Sequence, residues 1–326
     1  MDAQAPLAGR LGNLYEGARN RMLRGVPQNT QRAYRSAWAR WEAWAEAHQT
    51  PSLPARPEAL VAYVESGAQE GKKASTITLW LAAIRAAHLA AGHEHSPTEA
   101  PEVRAMMRST RRTLGTLPDK KAPIRLEDLR LILSKLPRTM VGLRDRALLL
   151  LGWAGALRRS EVVGVDFHHL RSDPTTGGLK LTIPRSKTDQ EGKSHLLGIP
   201  KANDPEICPV LALEAWCRIA EIRQGPVFRP VDRHGNVKDQ RLSAAAVGEI
   251  VKRATGRSGL GEEMFAGHSL RSGFATEAGA QGIEERLIAN QTRHTNLQVL
   301  RGYIREGNVL SEQNAARTVL RSPQKG

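Results

Sequence analysis

One tyrosine stands late in this 326-residue chain, in Gly302-Tyr303-Ile304-Arg305-Glu306, nine positions after His294 and downstream of His268-x-x-Arg271. The tyrosine before it is Tyr63, far upstream. A phenol oxygen attacks phosphorus effectively only if one group takes its proton and others neutralise the charge on the group attacked. Tyr303 is therefore a candidate nucleophile for phosphoryl transfer, and the rest of the chain must supply the partners. Arg158-Arg159-Ser160-Glu161 sets an arginine and a glutamate three apart, a spacing that on a helix lets Glu161 orient the guanidinium. Lys187 lies between two apolar segments, where a turn lysine can deliver an ammonium to a leaving oxygen. Taken singly, each is commonplace: an R-x-x-E is usually an ion pair, a turn lysine is usually solvated, and an H-x-x-R is a weak motif.

The elements that must carry these residues follow from periodicity. Asn29 to His48 places Tyr34, Ala37, Trp38, Trp41 and Ala45 on one helical face, and the two tryptophans read as core rather than as base-stacking groups. Further helices are expected over residues 57–67, 75–91 (Ile77, Leu81, Ile84 and Ala87 inward) and 101–114. Gly115 to Pro123, with two prolines, a glycine and three charges, reads as a linker. The expected division is a helical domain over 1–114, a linker over 115–123 and a second domain over 124–326. In the second, Asp145 to Val163 reads as one apolar helix ending in the Arg158–Glu161 group, and Leu179 to Pro184 and His195 to Ile199 read as strands with Lys187 in their hairpin connection. A helix starts near His268, and another carries Tyr303.

Charge narrows the partner. There are 48 Lys and Arg against 33 Asp and Glu, a net charge of +15. Residues 1–120 carry 16 basic and 11 acidic side chains and residues 121–326 carry 32 and 22, so the excess belongs to both halves and to segments with helical patterning. A polyanionic partner fits. Arg32 and Arg35 on the first helix, Lys72, Lys73, Ser75 and Thr76 before the start of the third, and Arg108, Arg111 and Arg112 on the fourth are candidate phosphate contacts, each equally readable as a solvated face. Cys208 and Cys217 form no C-x-x-C pair, and no His/Cys cluster has zinc spacing, so no metal or disulfide framework is expected. The absence of a signal-like start or a long apolar run places the chain in the cytoplasm, away from the membrane.

The order Arg158, Glu161, Lys187, His268, Arg271, His294, Tyr303 resembles that of the tyrosine recombinase (phage integrase) family, of the compact Cre and Xer kind, and the resemblance spans most of the chain. It implies a mainly α protein with a small antiparallel β-sheet, made of an all-helical core-binding (SAM-like) domain and an α+β catalytic domain that form a C-shaped clamp on DNA. By the same resemblance Arg158 and Arg271 clamp the non-bridging oxygens of the scissile phosphate, Glu161 orients the first arginine, and Lys187 protonates the departing 5′ oxygen. His268 takes or shares the proton of Tyr303, and His294 hydrogen-bonds the phosphate. The implied product is a 3′-phosphotyrosyl bond that another strand's 5′ hydroxyl can rejoin without cofactor, metal or ATP. Recombination then proceeds through a Holliday junction in a homotetramer on two sites of double-stranded DNA, in association with the nucleoid. Residues 308–320, with Val309, Ala316, Val319 and Leu320 at helical spacing, are expected to dock in a neighbouring subunit or on their own domain.

Two departures stand out. Many relatives carry glycine before the second histidine, whereas Arg293 stands here, so the loop bearing His294 is expected to bend differently. No extra arm-binding domain precedes the first helices, which favours a simple two-site recombinase. Two other readings use the same residues differently. A type IB topoisomerase nicks and reseals one duplex with a similar set, and a DNA-binding regulator on the same scaffold needs no nucleophile.

Overall fold

The computed structural model describes residues 28–115, 121–184, 194–294 and 296–309, together with 316 and 320. The chain divides into two compact units, Met1–Asp119 and Lys120–Gly326.

In the first unit the described elements are helical: α1 (Gln28–Ala47), α2 (Pro57–Gln69), α3 (Ala74–Ala90) and α4 (Pro101–Leu114). Proline at the start of α2 and of α4 supplies the φ of a first helical turn and lacks an N–H that would have no partner there. The apolar stripes meet in one core around Trp41, Leu60, Tyr63, Ile77 and Ile84, each fully buried. Trp41 is core as its spacing predicts, with its indole N–H donating to the Ser52 carbonyl at 3.0 Å. Trp38 and Tyr34 pack at the margin of the same core, and Ala87 is only partly covered.

The second unit holds α5 (Leu126–Ser134), α6 (Met140–Ala154), α7 (Arg159–Gly164), α8 (Pro209–Ile219), α9 (Ala244–Arg257), α10 (Ser269–Ala280), α11 (Glu285–Thr292) and α12 (Leu297–Asn308). Its sheet is antiparallel in the order β1 (Leu170–Ser172), β2 (Leu179–Ile183), β3 (His195–Ile199). Leu179 pairs with Ile199 and Ile183 with His195, so residues 184–194 connect adjacent strands as the alternation predicts. Lys187 itself lies outside the described residues. The strand β1, the helices α8 and α9 and the turn that follows α6 are not evident from periodicity alone.

One difference concerns the expected helix over residues 145–163. Helix α6 stops at Ala154, the chain turns through Gly155, Ala156 and Leu157, and α7 begins at Arg159. The break sits at Ala156, whose φ of 44° is left-handed. Another difference lies at the end of the expected linker. Ala122 N–H donates to Met264 O at 2.8 Å and Ile124 N–H to Ser269 O at 3.0 Å, which lays this stretch along the second unit. There Gly273 of α10 lets the chain pass: a Cβ at that position would come within 1.9 Å of the Ile124 carbonyl oxygen.

Candidate active site

Tyr303 is set by the packing of α12 on α10. A Cβ on Gly307 would fall 2.2 Å from Thr276 O, and one on Gly279 would fall 2.8 Å from the Ile304 Cα, so the two backbones touch where both helices carry glycine. Leu300 and Ala275 are buried between them, with Tyr303 and Ile304 against the same cluster. The contact brings Tyr303 to the start of α10, where His268 occupies the N-cap. His268 Nε2 lies 3.0 Å from Tyr303 Oη.

The surroundings fix the protonation state from which each group starts. Loss of hydration in the site lowers the His268 pKa below the ordinary imidazole range, with Arg271, Arg158 and Arg159 adding to the effect, although the residue as a whole keeps a solvent-exposed face. A neutral imidazole at neutral pH can accept a proton. Burial raises the Tyr303 phenol, partly offset by Arg271, so the phenol keeps its proton until attack.

Arg271 lies one helical turn from His268 and is buried. Its Nη1 donates to Ala156 O at 2.7 Å, while its buried Nη2 has no hydrogen-bond partner among the described residues. Burial pulls the guanidinium down to about 9, with Arg158 acting the same way and Glu161 opposing, so it stays charged at neutral pH. A buried charged donor without an acceptor is costly unless an anion completes it.

The Arg158–Glu161 pair forms, by a geometry that differs from a shared helix face. Arg158 is the N-cap of α7 and Glu161 its third residue. Glu161 Oε2 accepts from the Arg158 backbone N–H at 2.8 Å, and Oε1 accepts from Arg158 Nη1 at 2.6 Å. One carboxylate thus caps the helix and holds the guanidinium. Burial alone would raise the Glu161 pKa; Arg293 first, then the Arg158 bonds, outweigh it and hold the carboxyl below its usual range.

Arg293 was not singled out as a site residue, yet it belongs to the centre. It follows α11 with φ 54° and ψ 44°, the left-handed conformation that glycine ordinarily supplies. The turn is therefore made in spite of the side chain, which is buried and donates to Glu161 Oε2 at 2.8 Å. Gln291 adds a contact from the same segment, its amide donating to Ala154 O at 2.8 Å. Carbonyls 154–156 at the end of α6 are thus met by Gln291, Arg293 and Arg271.

His294 is half-buried beside this group. Thr292 Oγ1 donates to Ile288 O at 2.7 Å, so at 2.7 Å from His294 Nδ1 the same oxygen accepts from the imidazole N–H. That tautomer leaves Nε2 as a lone pair in the free protein. Loss of hydration, then Arg271 and Arg158, push the His294 pKa down to about 4. Around these residues three guanidinium groups (Arg158, Arg271, Arg293) face one carboxylate (Glu161), a buried excess of positive charge suited to an anion.

The candidate contacts of the first unit fall on three helices, with α3 packed against both α1 and α4. Lys73 is the N-cap of α3 and Ser75 and Thr76 lie in its first turn, while Arg108, Arg111 and Arg112 are exposed on α4. Arg111 Nη2 donates to Thr78 Oγ1 at 3.3 Å, which ties the two clusters together. Lys72 is half-exposed with its ammonium 3.7 Å from Glu70, and Arg32 and Arg35 are exposed on α1. Val309 is exposed, and most of the expected tail helix over 308–320 lies outside the described residues. Among the described residues Asp166, His168 and His169 present ligand atoms within 4.8 Å of one another, but Arg241 already pairs with Asp166 at 2.6 Å. Among the described residues no helix is long and apolar enough to cross a membrane.

Comparison with known proteins gives these residues a setting. The model of the phage integrase family matches residues 123–308, and that of the phage integrase N-terminal SAM-like domain matches residues 21–95. An integrase/recombinase xerD homolog of Selenomonas ruminantium is 39% identical over 298 residues, covering 90% of this chain and 86% of the relative. A lambda integrase dimer bound to a COC′ core site superposes with a TM-score of 0.59 at 18% identity, covering 89% of this chain and 76% of that one. XerH site-specific recombinase bound to palindromic difH substrate, in a post-cleavage complex, gives 0.53 at 16% identity, covering 81% and 70%.

Proposed function

Since this chain belongs to the phage integrase family and is a site-specific DNA recombinase, we propose that Tyr303 is its nucleophile and that Arg158, Arg271, His268, His294 and Lys187 serve that attack. The observation that carries this reading is the 3.0 Å approach of His268 Nε2 to Tyr303 Oη beside a buried guanidinium donor that has no acceptor among the described residues.

In the first step Tyr303 Oη bonds to the scissile phosphorus as its proton passes to His268 Nε2. The bond from phosphorus to the 5′ oxygen breaks, and that oxygen takes a proton from Lys187. Arg271 Nη2 and the Arg158 guanidinium meet the charge on the non-bridging oxygens. His294 donates from Nε2 to the phosphate in the neutral tautomer that carries its proton there, with Thr292 Oγ1 turning to donate to Nδ1. The product is a 3′-phosphotyrosyl bond. A 5′ hydroxyl of the partner duplex reverses the same steps, which exchanges strands and, after a second round, resolves a Holliday junction. No net hydrolysis occurs, so no nucleotide is consumed.

The partner is double-stranded DNA carrying specific sites. The relatives superposed above are recombinases bound to core-site or difH DNA, and the +15 net charge of this chain supports the same partner. Lys72, Lys73, Ser75, Thr76, Arg108, Arg111 and Arg112, with Arg32 and Arg35, are assigned phosphate-backbone contacts that position the duplex and carry little sequence information. Four copies act on two sites, with residues 308–320 of one subunit docking on the next, and the complex works at the nucleoid.

The test is covalent capture. The protein is incubated with a duplex library of random sequence, denatured, and the DNA that stays attached is sequenced; a duplex nicked beside the recovered site then traps the adduct. Wild-type protein is expected to form the adduct and Tyr303→Phe none.

A further inference from the structure

We propose that Arg293 is a positioning residue: a buried bracket that locks the turn bearing His294 to the Glu161–Arg158 pair and to the 155–157 turn. The two halves of the phosphate site are thereby held in register. The inference deepens the reading above and rests on it.

The argument begins with backbone and side chain pulling in opposite directions. A φ of 54° at a residue bearing a Cβ is strained, and Arg293 holds it at the end of α11. Strain of that kind persists only where the surroundings over-determine the conformation. Here they do so through the side chain, which leaves solvent and makes four hydrogen bonds. Nη1 donates to Gln291 O at 2.7 Å and to Gly155 O at 3.1 Å; Nη2 donates to Ala156 O at 3.3 Å and to Glu161 Oε2 at 2.8 Å.

Those acceptors belong to two separate stretches of chain. Gln291 lies in the segment that delivers His294, whereas Gly155, Ala156 and Glu161 belong to the turn and helix that deliver Arg158. The bracket therefore spans the site. It converges on two shared acceptors: the Ala156 carbonyl, which also receives Arg271 Nη1 at 2.7 Å, and Glu161 Oε2, which also receives the Arg158 N–H at 2.8 Å. Each phosphate-facing arginine thus shares an acceptor with Arg293. Its planar fork suits the task, because one guanidinium offers donors to both stretches at fixed angles, which a lysine ammonium cannot.

Arg293 touches neither Tyr303 nor His268 in any described hydrogen bond, so it acts through other residues. Binding of DNA through the remaining phosphate contacts should survive its loss, while the rate of the chemical step should not. Arg293→Gly is the informative change. It relieves the left-handed strain, so the turn is kept, and it leaves a hole shaped for a guanidinium.

The experiment uses full-length protein and the nicked duplex built on the recovered site. Arg293→Gly is expected to bind that duplex within about twofold of wild type and to form the adduct at least roughly tenfold more slowly. Ethylguanidinium at millimolar levels is expected to restore several-fold of that loss in Arg293→Gly and to do nothing to Arg293→Lys. A simple structural role predicts no selective rescue. Wild-type rates from a folded Arg293→Gly overturn the bracket alone. Failure of wild-type protein to form any adduct overturns the bracket together with the assignment of Tyr303.

Discussion

Gly307 of α12 lies against the Thr276 carbonyl of α10, and a methyl group added there would come within 2.2 Å of that oxygen. The closeness has a consequence at the other end of the contact, because Tyr303 stands one turn earlier on the same helix, 3.0 Å from His268. Substituting Gly307 by Ala must shift α12 outward. We expect about 1–3 kcal/mol of destabilisation by denaturant unfolding and a fall in adduct rate larger than Tm alone explains. Gly164→Ala, at a helical position where an added Cβ meets nothing within 4 Å, is the control.

Glu161 holds two arginines at once, the partly buried Arg158 at 2.6 Å and the buried Arg293 at 2.8 Å. Glu161→Gln keeps the shape and removes the charge. Breaking a buried pair by removing one partner typically costs about 3–5 kcal/mol, and retention of the α7 cap by the amide oxygen places this variant toward the lower end. Thermal unfolding checks it; an unchanged midpoint contradicts the pairing.

His294 gives stability a pH dependence of definite sign. Its pKa falls from the ordinary 6.5 to about 4 on folding, so between these values the unfolded chain binds more protons than the folded one. The contribution is complete above pH 6.5 and is lost as pH falls toward 4. His268, also lowered, acts in the same direction. The midpoint of DNA-free protein should therefore drop between pH 7 and 4, and His294→Gln should flatten that decline. An undiminished slope in the variant refutes the assignment to His294.

Protonation of His268 also removes the acceptor that Tyr303 needs. With DNA limiting, adduct formation should hold its rate down to about pH 6.5 and fall below it, because the free-protein pKa governs that regime and lies beneath the ordinary imidazole value. His268→Ala should lose roughly 10²-fold or more in rate and lose the acid limb as well.

Much of this was legible in the sequence wherever a pattern had one dominant cause. The apolar stripes of α1 and α3 predicted their own cores, and the alternation in β2 and β3 predicted their pairing. The spacing of His268, Arg271, His294 and Tyr303 pointed to residues that the fold does bring together. The break after α6 was hidden because Asp145 to Val163 is apolar enough for one helix, and the interruption comes from the left-handed Ala156, a non-glycine residue that carries no turn signal. Arg293 was visible only as a departure from glycine; the different bend expected of its loop is not found, since Arg293 takes the left-handed conformation itself, and its role was hidden for a related reason. Its left-handed backbone and buried side chain depend on Gly155, Ala156 and Glu161, all more than 130 positions away.

Identification of the residue that carries DNA after denaturation tests the central claim most directly. Protein trapped on the nicked duplex is digested with protease and nuclease and analysed by mass spectrometry. The account predicts a nucleotide remnant joined through phosphate to the peptide containing Tyr303, and none from Tyr303→Phe. A remnant on any other residue, or an adduct that persists in Tyr303→Phe, contradicts it.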